Sequence, residues 1–215
     1  MIKLFYTLAM ATSLTVIASF ATAAGDAARG ESLVAVCAGC HGADGNSPTP
    51  MFPKIAGLGY KYLLKQLHNV KSGERVIAEM TGILDPYSDD DLADMAAYFA
   101  SKPLQIAGAT ESQVQLITGE MVDSLELGEQ VYRFGNHETG VPACSGCHSP
   151  KGLGNAPAGY PRLSGQYADY IEKQLKHFRA GDRRNDGEAM PMRGVAQYMS
   201  DIEITAVANY IAGLN

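Results

Sequence analysis

Two short motifs in this chain combine cysteine and histidine at one spacing. The motifs read CAGCH and CSGCH, and they contain Cys37, Cys40 and His41, and then Cys144, Cys147 and His148. Together they use all 4 cysteines of the chain, so none is left for a structural disulfide. Three chemistries use a CxxC pair: a zinc site, a thioredoxin-like redox pair and the covalent attachment of a c-type haem.

The histidine that follows each second cysteine favours haem over the two other chemistries. In a helical turn, cysteines at i and i+3 face one side, and a histidine at i+4 lies over the ring between them. One turn can then supply both thioether bonds to the haem vinyl groups and one ligand to the iron. A CxxC redox pair is typical of a βαβ scaffold instead. We predict two covalently bound haem c groups, with His41 and His148 as iron ligands.

The chain is an internal duplication. PKIAG at 53–57 matches PRLSG at 161–165, and YLLKQL at 62–67 matches YIEKQL at 170–175, at the same sequence offset. The matching blocks nearer the two terminal helices have a larger offset, which places an insertion near residues 181–189. Each CxxCH motif has the same place in its repeat, so each half holds a site of its own rather than sharing one zinc ion.

Both repeats follow one helical plan. A helix runs into the CxxCH motif, a Gly/Pro-rich loop and a Pro-x-x-x-Gly turn follow, and two further helices close the repeat. Ser88 with Asp91, and Ser200 with Glu203, have the spacing of a capping box at the start of each terminal helix. No strand pattern of any length appears. The sequence therefore predicts an all-α fold made of two tandem domains, each wrapped around one covalent haem.

Residues 1–24 are predicted to be a signal peptide. The segment has a positive start, an apolar run and small residues at Ala23 and Ala24, where cleavage would release the chain into the periplasm. An uncleaved membrane anchor is the alternative, because the apolar run is nearly long enough to span a bilayer. We place the first domain at 25–104, a linker at 105–118 and the second domain at 119–215.

Two methionines are candidates for the second axial position of each iron. Met80 in Met-Thr-Gly and Met192 in Met-Arg-Gly lie at the same distance before their terminal helices. Met190, which precedes Pro191, is the rival of Met192. Ligation by His and Met raises the reduction potential and closes the iron to other ligands, which suits electron transfer rather than catalysis on a substrate.

Across essentially the whole mature chain, these motifs resemble the dihaem cytochromes c4. The phrases that carry the resemblance are VCAGCHGADGNSP, FPKIAG, YLLKQL, MTGILDPYSDDDLADMAAYFA, PACSGCH and NDGEAMPMRGVA. The resemblance implies two cytochrome c-type domains related by a pseudo-twofold axis, with the haems facing across the interface. It also implies that the carbonyls of Pro53 and Pro161 orient His41 and His148. The function implied is a periplasmic electron carrier that feeds a terminal oxidase.

The expected partners are redox protein donors and that oxidase, with the carrier monomeric and soluble or loosely attached to the membrane. The net charge of −6 argues against nucleic-acid binding. Two alternatives are a dihaem subunit of a dehydrogenase complex, such as the partner of a sulfide-oxidising flavoprotein, and a dihaem peroxidase. A basic cluster of Arg179, Arg183 and Arg184 is interpreted as a solvated loop, or else as a docking site for an acidic partner.

Overall fold

The computed structural model describes residues 25–215, so the predicted signal peptide lies outside the described residues. In the first repeat the chain forms four α-helices. They are α1 (Ala27–Leu33), α2 (Ala35–His41), α3 (Tyr60–Lys71) and α4 (Asp89–Ser101). A 3₁₀ turn at Ala78–Met80 lies between α3 and α4. The first CxxCH motif ends α2, as the sequence predicts.

The second repeat contains the equivalent helices and one more short one. They are α5 (Ser124–Phe134), α6 (Ser145–His148), α7 (Ala168–Ala180), α8 (Pro191–Ala196) and α9 (Asp201–Gly213). A 3₁₀ turn at Ala156–Ala158 lies between α6 and α7. Helix α8 is short and follows the insertion that the sequence comparison places at 181–189. The predicted all-α fold of two tandem repeats is confirmed.

The first and last helices of each repeat cross at a glycine. Gly30 of α1 meets the backbone carbonyl of Asp94 on α4, and Gly128 of α5 meets that of Ala206 on α9. A Cβ at either glycine would overlap the opposing carbonyl, so the two helix axes approach more closely than any larger residue would allow. The same crossing in both repeats shows the duplication in three dimensions.

Capping boxes begin both terminal helices. The Ser88 hydroxyl accepts from the Asp91 amide at 3.2 Å, and the Ser200 hydroxyl accepts from the Glu203 amide at 3.2 Å. Each acidic side chain accepts from the serine amide in return, so both predicted boxes are present. The apolar side chains of the two terminal helices are buried in two separate cores. They are Leu92, Met95, Ala96, Phe99, Ile204, Val207, Ala208 and Ile211.

The segment between the repeats contains the one strand pair of the described residues. Strand β1 (Gln113–Gln115) pairs antiparallel with β2 (Met121–Asp123), and Val114 lies opposite Val122. The sequence expectation of no strand is therefore wrong here. Strand β1 lies in the predicted linker and β2 in the predicted second domain. The boundary between linker and second domain stays a prediction. Within residues 25–215, no helix combines the length and the apolar character that a bilayer span requires.

The two halves meet through polar side chains. The Gln166 side chain accepts from the Lys54 amide at 3.0 Å and donates to the Lys54 carbonyl at 2.7 Å. Beside it, the Tyr167 hydroxyl donates to the Ser47 carbonyl at 2.6 Å, and the Lys54 ammonium lies 4.6 Å from the centre of the Tyr167 ring. These contacts join the segment after the first CxxCH motif to the start of α7.

The predicted basic cluster is not one surface. Arg179 donates to the Met199 carbonyl at 2.8 Å and pairs with Asp201, within its own domain. Arg183 turns instead towards the first domain and donates to the Tyr62 hydroxyl at 3.3 Å. The interpretation as a solvated loop or a docking cluster is therefore wrong for Arg183, which lies in the domain boundary.

Candidate functional site

Each CxxCH motif lies on a single helical turn. Cys37, Cys40 and His41 belong to α2, while Cys144 caps α6 and Cys147 lies within it. In both motifs the first cysteine is partly buried and the second is exposed. All four thiols are free of disulfide bonds, so each pair is available for thioether formation. Both pairs lie at the edges of their cores, where Cys37 and Cys144 contact the two apolar clusters.

A proline carbonyl orients the histidine in both motifs. His41 Nδ1 lies 2.9 Å from the carbonyl oxygen of Pro53, and His148 Nδ1 lies 2.9 Å from that of Pro161. A carbonyl can only accept, so Nδ1 carries the proton and donates it. The lone pair of the imidazole is then on Nε2, which is the atom left to bind a metal.

An aromatic residue before each proline packs edge-on against the same histidine. The His41 and Phe52 rings are 6.2 Å apart at 66°, and the His148 and Tyr160 rings are 5.9 Å apart at 66°. The sequence analysis missed this contact. Its signal is present in the duplication, because Phe52 and Tyr160 directly precede the matched Pro-x-x-x-Gly turns.

The state of the thiols and the arrangement of possible ligands favour neither a redox pair nor a zinc site. Burial raises the pKa of the Cys37 and Cys144 thiols to about 11, whereas a redox-active pair depends on a lowered thiol pKa. Among residues 25–215, no three His, Cys, Asp or Glu side chains are arranged to hold a metal ion by themselves. Burial lowers the pKa of His41 and His148 and outweighs the opposing proline hydrogen bonds, so both rings are neutral near pH 7.

The methionines of the described residues differ in their surroundings. Met80 and Met192 are partly buried, each packed against the core of its own domain. The remaining methionines of residues 25–215 are either exposed or buried inside a core, and these are Met51, Met95, Met121, Met190 and Met199. Met190 is 48% exposed and takes a left-handed backbone conformation with φ 47°. These surroundings favour Met192 over Met190 as the candidate ligand.

The donor set in each half fits a covalent haem. Two free thiols on one turn match the two vinyl groups, and a neutral imidazole with Nε2 free matches the iron. Among residues 25–215, neither half has three such side chains arranged to hold a metal ion without such a ring. The fold and its two sites thus define a two-domain c-type cytochrome. In agreement, the family model described as Cytochrome c matches residues 27–102 and 125–215.

Comparisons with known proteins show which family of two-domain c-type cytochromes the chain is similar to. The chain is 48% identical to cytochrome c4 of Pseudomonas aeruginosa over 213 residues, which cover 99% of both chains. The crystal structure of reduced recombinant cytochrome c4 from Pseudomonas stutzeri superposes with a TM-score of 0.82 at 48% identity, covering 89% of this chain and 100% of that one. The chain belongs to the cytochrome c4 family.

A relative of lower identity carries a name that refers to a dehydrogenase. The thiosulfate dehydrogenase electron acceptor of Stutzerimonas stutzeri is 35% identical over 179 residues, which cover 83% of this chain and 78% of that protein. Membership of the cytochrome c4 family makes the chain an electron-transfer protein rather than an enzyme, with two haem c groups, one for each CxxCH motif. The coarse function is that of a dihaem electron carrier.

Proposed function

We propose that the mature chain is a periplasmic carrier that passes single electrons through two His/Met-ligated haems towards a terminal oxidase. His41 with Met80 would hold the iron of the first domain, and His148 with Met192 would hold that of the second. The observation that supports this best is the repeated hydrogen bond from Nδ1 to a proline carbonyl, which presents Nε2 of each histidine for the iron. Cys37, Cys40, Cys144 and Cys147 form the thioether bonds.

The protein side chains would hold and enclose the two haems, and they would not react themselves. When bound, each haem iron accepts and releases one electron. Pro53 and Pro161 keep the imidazoles in one orientation, so little rearrangement accompanies a change of oxidation state. Met80 and Met192 lie at the edges of the two apolar cores, where each would hold the iron of its domain and keep water and other ligands away from it. The polar domain boundary keeps the two sites at a fixed separation.

The periplasmic location rests on the sequence. Residues 1–24 have the order of a signal peptide, with cleavage near Ala23 or Ala24, and c-type haem is attached outside the cytoplasm. The backbone nitrogen of Gly25 donates to the Tyr60 hydroxyl at 3.3 Å. Cleavage near Ala23 or Ala24 would leave Gly25 and this contact in the mature chain.

Carbon monoxide tests the ligation directly. We expect the dithionite-reduced mature protein to show a c-type spectrum that carbon monoxide leaves unchanged, because six-coordinate His/Met irons offer no free position. A clear shift would mean that at least one iron is open, and the methionine assignment for that domain would fail. The absence of haem bands in protein made with haem-attachment machinery would contradict the whole proposal.

The electron donor is a separate question, and a relative suggests one candidate. The similarity to a thiosulfate dehydrogenase electron acceptor favours a second function as the acceptor for a periplasmic dehydrogenase. Stopped-flow reduction by thiosulfate dehydrogenase with thiosulfate, and oxidation by membranes that contain the terminal oxidase, separate the two roles. Fast oxidation by the membranes without fast reduction by the dehydrogenase supports the oxidase carrier alone. Fast reduction by the dehydrogenase without fast oxidation by the membranes supports the role of dehydrogenase acceptor.

A further inference from the structure

A buried ion pair lies beside the candidate ligand Met192. Arg193 Nε donates to Asp186 Oδ1 at 2.7 Å, and the side chain of Asp186 is only 4% exposed. A carboxylate removed from water is costly without a close, hydrogen-bonded counter-charge, which Arg193 provides. Arg193 follows Met192 directly in the chain, so a contact that fixes Arg193 also limits where Met192 can lie.

The Asp186 carboxylate holds the backbone of Arg193 as well as its side chain. Asp186 Oδ2 accepts from the Arg193 backbone amide at 2.9 Å, while Oδ1 accepts from the guanidinium. The same guanidinium also donates to the Gly187 carbonyl at 2.9 Å. Charge-assisted hydrogen bonds to both oxygens of one carboxylate fix the geometry as well as the distance. Because one of them goes to the backbone, they restrain the chain itself and not only the end of a flexible side chain.

Helix α8, which carries Met192, lacks a side-chain cap from its own first residue. It begins after Met190, which makes no capping hydrogen bond and has a left-handed backbone that is strained for a residue with a side chain. Asp186 supplies the missing acceptor from outside the helix, since Arg193 is the third residue of α8 and donates its amide to that carboxylate. A six-residue helix has few hydrogen bonds of its own, so its start depends on this acceptor.

The first domain has no counterpart of this ion pair. There Met80 ends a 3₁₀ turn, and Thr81 takes the place of Arg193. Thr81 is exposed, and its hydroxyl donates to the Ile77 carbonyl at 3.4 Å, within the same turn. In the described part of the chain, no salt bridge reaches this turn. Asp186 lies in the insertion that lengthens the second repeat, so the second domain alone has this restraint.

We propose that Asp186 is a positioning residue, which fixes Arg193 and thereby holds Met192 at the iron of the second domain. Met80 has no such support and is the more readily displaced of the two methionines. This role rests on the methionine ligation proposed above, and it is independent of the donor and the oxidase. An added ligand can bind an iron only after the methionine sulfur has left, so its apparent affinity measures how firmly each methionine is held.

Displacement of the methionines by imidazole tests this role in the oxidised, haem-loaded protein. Oxidised haem with a methionine ligand has a long-wavelength charge-transfer band, which is lost when imidazole replaces the sulfur. We expect the wild type to lose this band in two steps, with the second domain responsible for the weaker one. Asp186→Asn should raise the apparent imidazole affinity of that weaker step about tenfold and leave the stronger step unchanged.

Met192→Leu shows which domain each step belongs to. This variant should keep only the band of the first domain, and imidazole should remove it at the concentration of the stronger wild-type step. Adding Asp186→Asn to Met192→Leu should then change nothing, because the methionine that Asp186 holds is already absent. A further rise in affinity in the double variant would mean that Asp186 acts on Met80 instead, and the proposed role would be wrong.

Two controls separate positioning from charge and from stability. Asp182→Asn removes the same charge from an exposed residue of the same loop, which forms no salt bridge in residues 25–215. Gly128→Ala overpacks the crossing of α5 and α9, which does not include α8. Both controls should bind imidazole like the wild type. An equal rise in affinity in either control, or none in Asp186→Asn, would overturn the positioning role.

A second substitution keeps the test decisive if Asp186→Asn does not fold. Arg193→Lys retains the charge and the backbone amide but loses the planar fork, so it should raise the imidazole affinity of the same step by a smaller factor. An unchanged affinity in Arg193→Lys would then count against the role. Absence of the charge-transfer band from the wild type would instead contradict the methionine ligation itself, so the two failures are distinguishable.

Discussion

A single carbonyl oxygen decides which nitrogen of each histidine can bind iron. Proline suits this position, because its ring fixes φ and so removes one of the two backbone rotations that could move its carbonyl. The two motifs reach the same 2.9 Å hydrogen bond from different local structures, since His41 ends a seven-residue helix and His148 a four-residue one. The orientation of the imidazole therefore depends on the proline loop rather than on helix length.

The choice between two neighbouring methionines is a prediction at this scale. We expect Met192→Leu to open one of the two irons, because leucine fills a similar volume without a sulfur atom. The reduced variant should then bind carbon monoxide at one haem, as seen in the Soret band. Met190→Leu is the control, and its spectrum should stay insensitive to carbon monoxide. Carbon monoxide binding by the Met190 variant with none by the Met192 variant would reverse the assignment.

Residues with a distinctive spacing could be identified from the sequence, whereas residues that act through space could not. The thiols and histidines are set by one helical turn, and the repeat register then points to Met80 and Met192. Arg75 is different, because its partners on α7 lie 95 and 99 residues away in the chain. Only the assembled boundary shows that an arginine from a loop is buried there.

At the scale of elements, the crossing of α5 and α9 depends on the missing side chain of Gly128. We expect Gly128→Ala to lower the free energy of unfolding by about 2 kcal/mol, because overpacking against a backbone forces the helices apart. The overlap is with the Ala206 carbonyl and the Tyr210 Cβ, neither of which can rotate away. The gain in helix propensity, about 1 kcal/mol for Gly to Ala, offsets only part of this cost.

Urea unfolding of the haem-loaded protein, followed by circular dichroism, measures the effect. Gln130→Ala is the matched control on α5, since Gln130 is exposed and its truncation should change stability by less than about 0.5 kcal/mol. Equal stability of the two variants would show that α5 and α9 can separate without loss, and the tight crossing would then have no energetic role.

Helices were predictable because several independent signals agree over a dozen residues. In α9, a capping box, an acidic first turn and an apolar face repeat at helical spacing, and all three are present in the structure. The β1–β2 hairpin escaped prediction because each strand has three residues, with one partly buried position between two exposed ones. One such position cannot establish an alternating pattern.

At the scale of the whole molecule, the two domains are joined mainly by hydrogen bonds and not by a shared apolar core. The two core clusters are separate, and the contacts between halves involve amides, tyrosine hydroxyls and arginines. A polar boundary gives strict geometry, because each hydrogen bond has a preferred distance and angle. This suits a protein whose two redox sites must keep a constant separation, and composition alone gives no hint of it.

Gln166 provides the sharpest test of that boundary. Its side chain is 2% exposed and satisfies both the amide and the carbonyl of Lys54, a residue that is itself buried. Gln166→Leu keeps most of the volume but leaves both backbone groups without partners. We expect the free energy of unfolding to fall by about 2 kcal/mol or more, since each buried unsatisfied group costs about 1–3 kcal/mol.

Urea unfolding monitored by haem absorbance gives the measurement, with Gln130→Leu as the control for an exposed glutamine that lies away from the boundary. The control should unfold like the wild type. In the Gln166 variant the domains lose a connection, so we also expect their two transitions to separate. A single transition at the wild-type midpoint would mean that the boundary is held without Gln166, and that Arg75, Arg183 and Tyr167 suffice to join the domains.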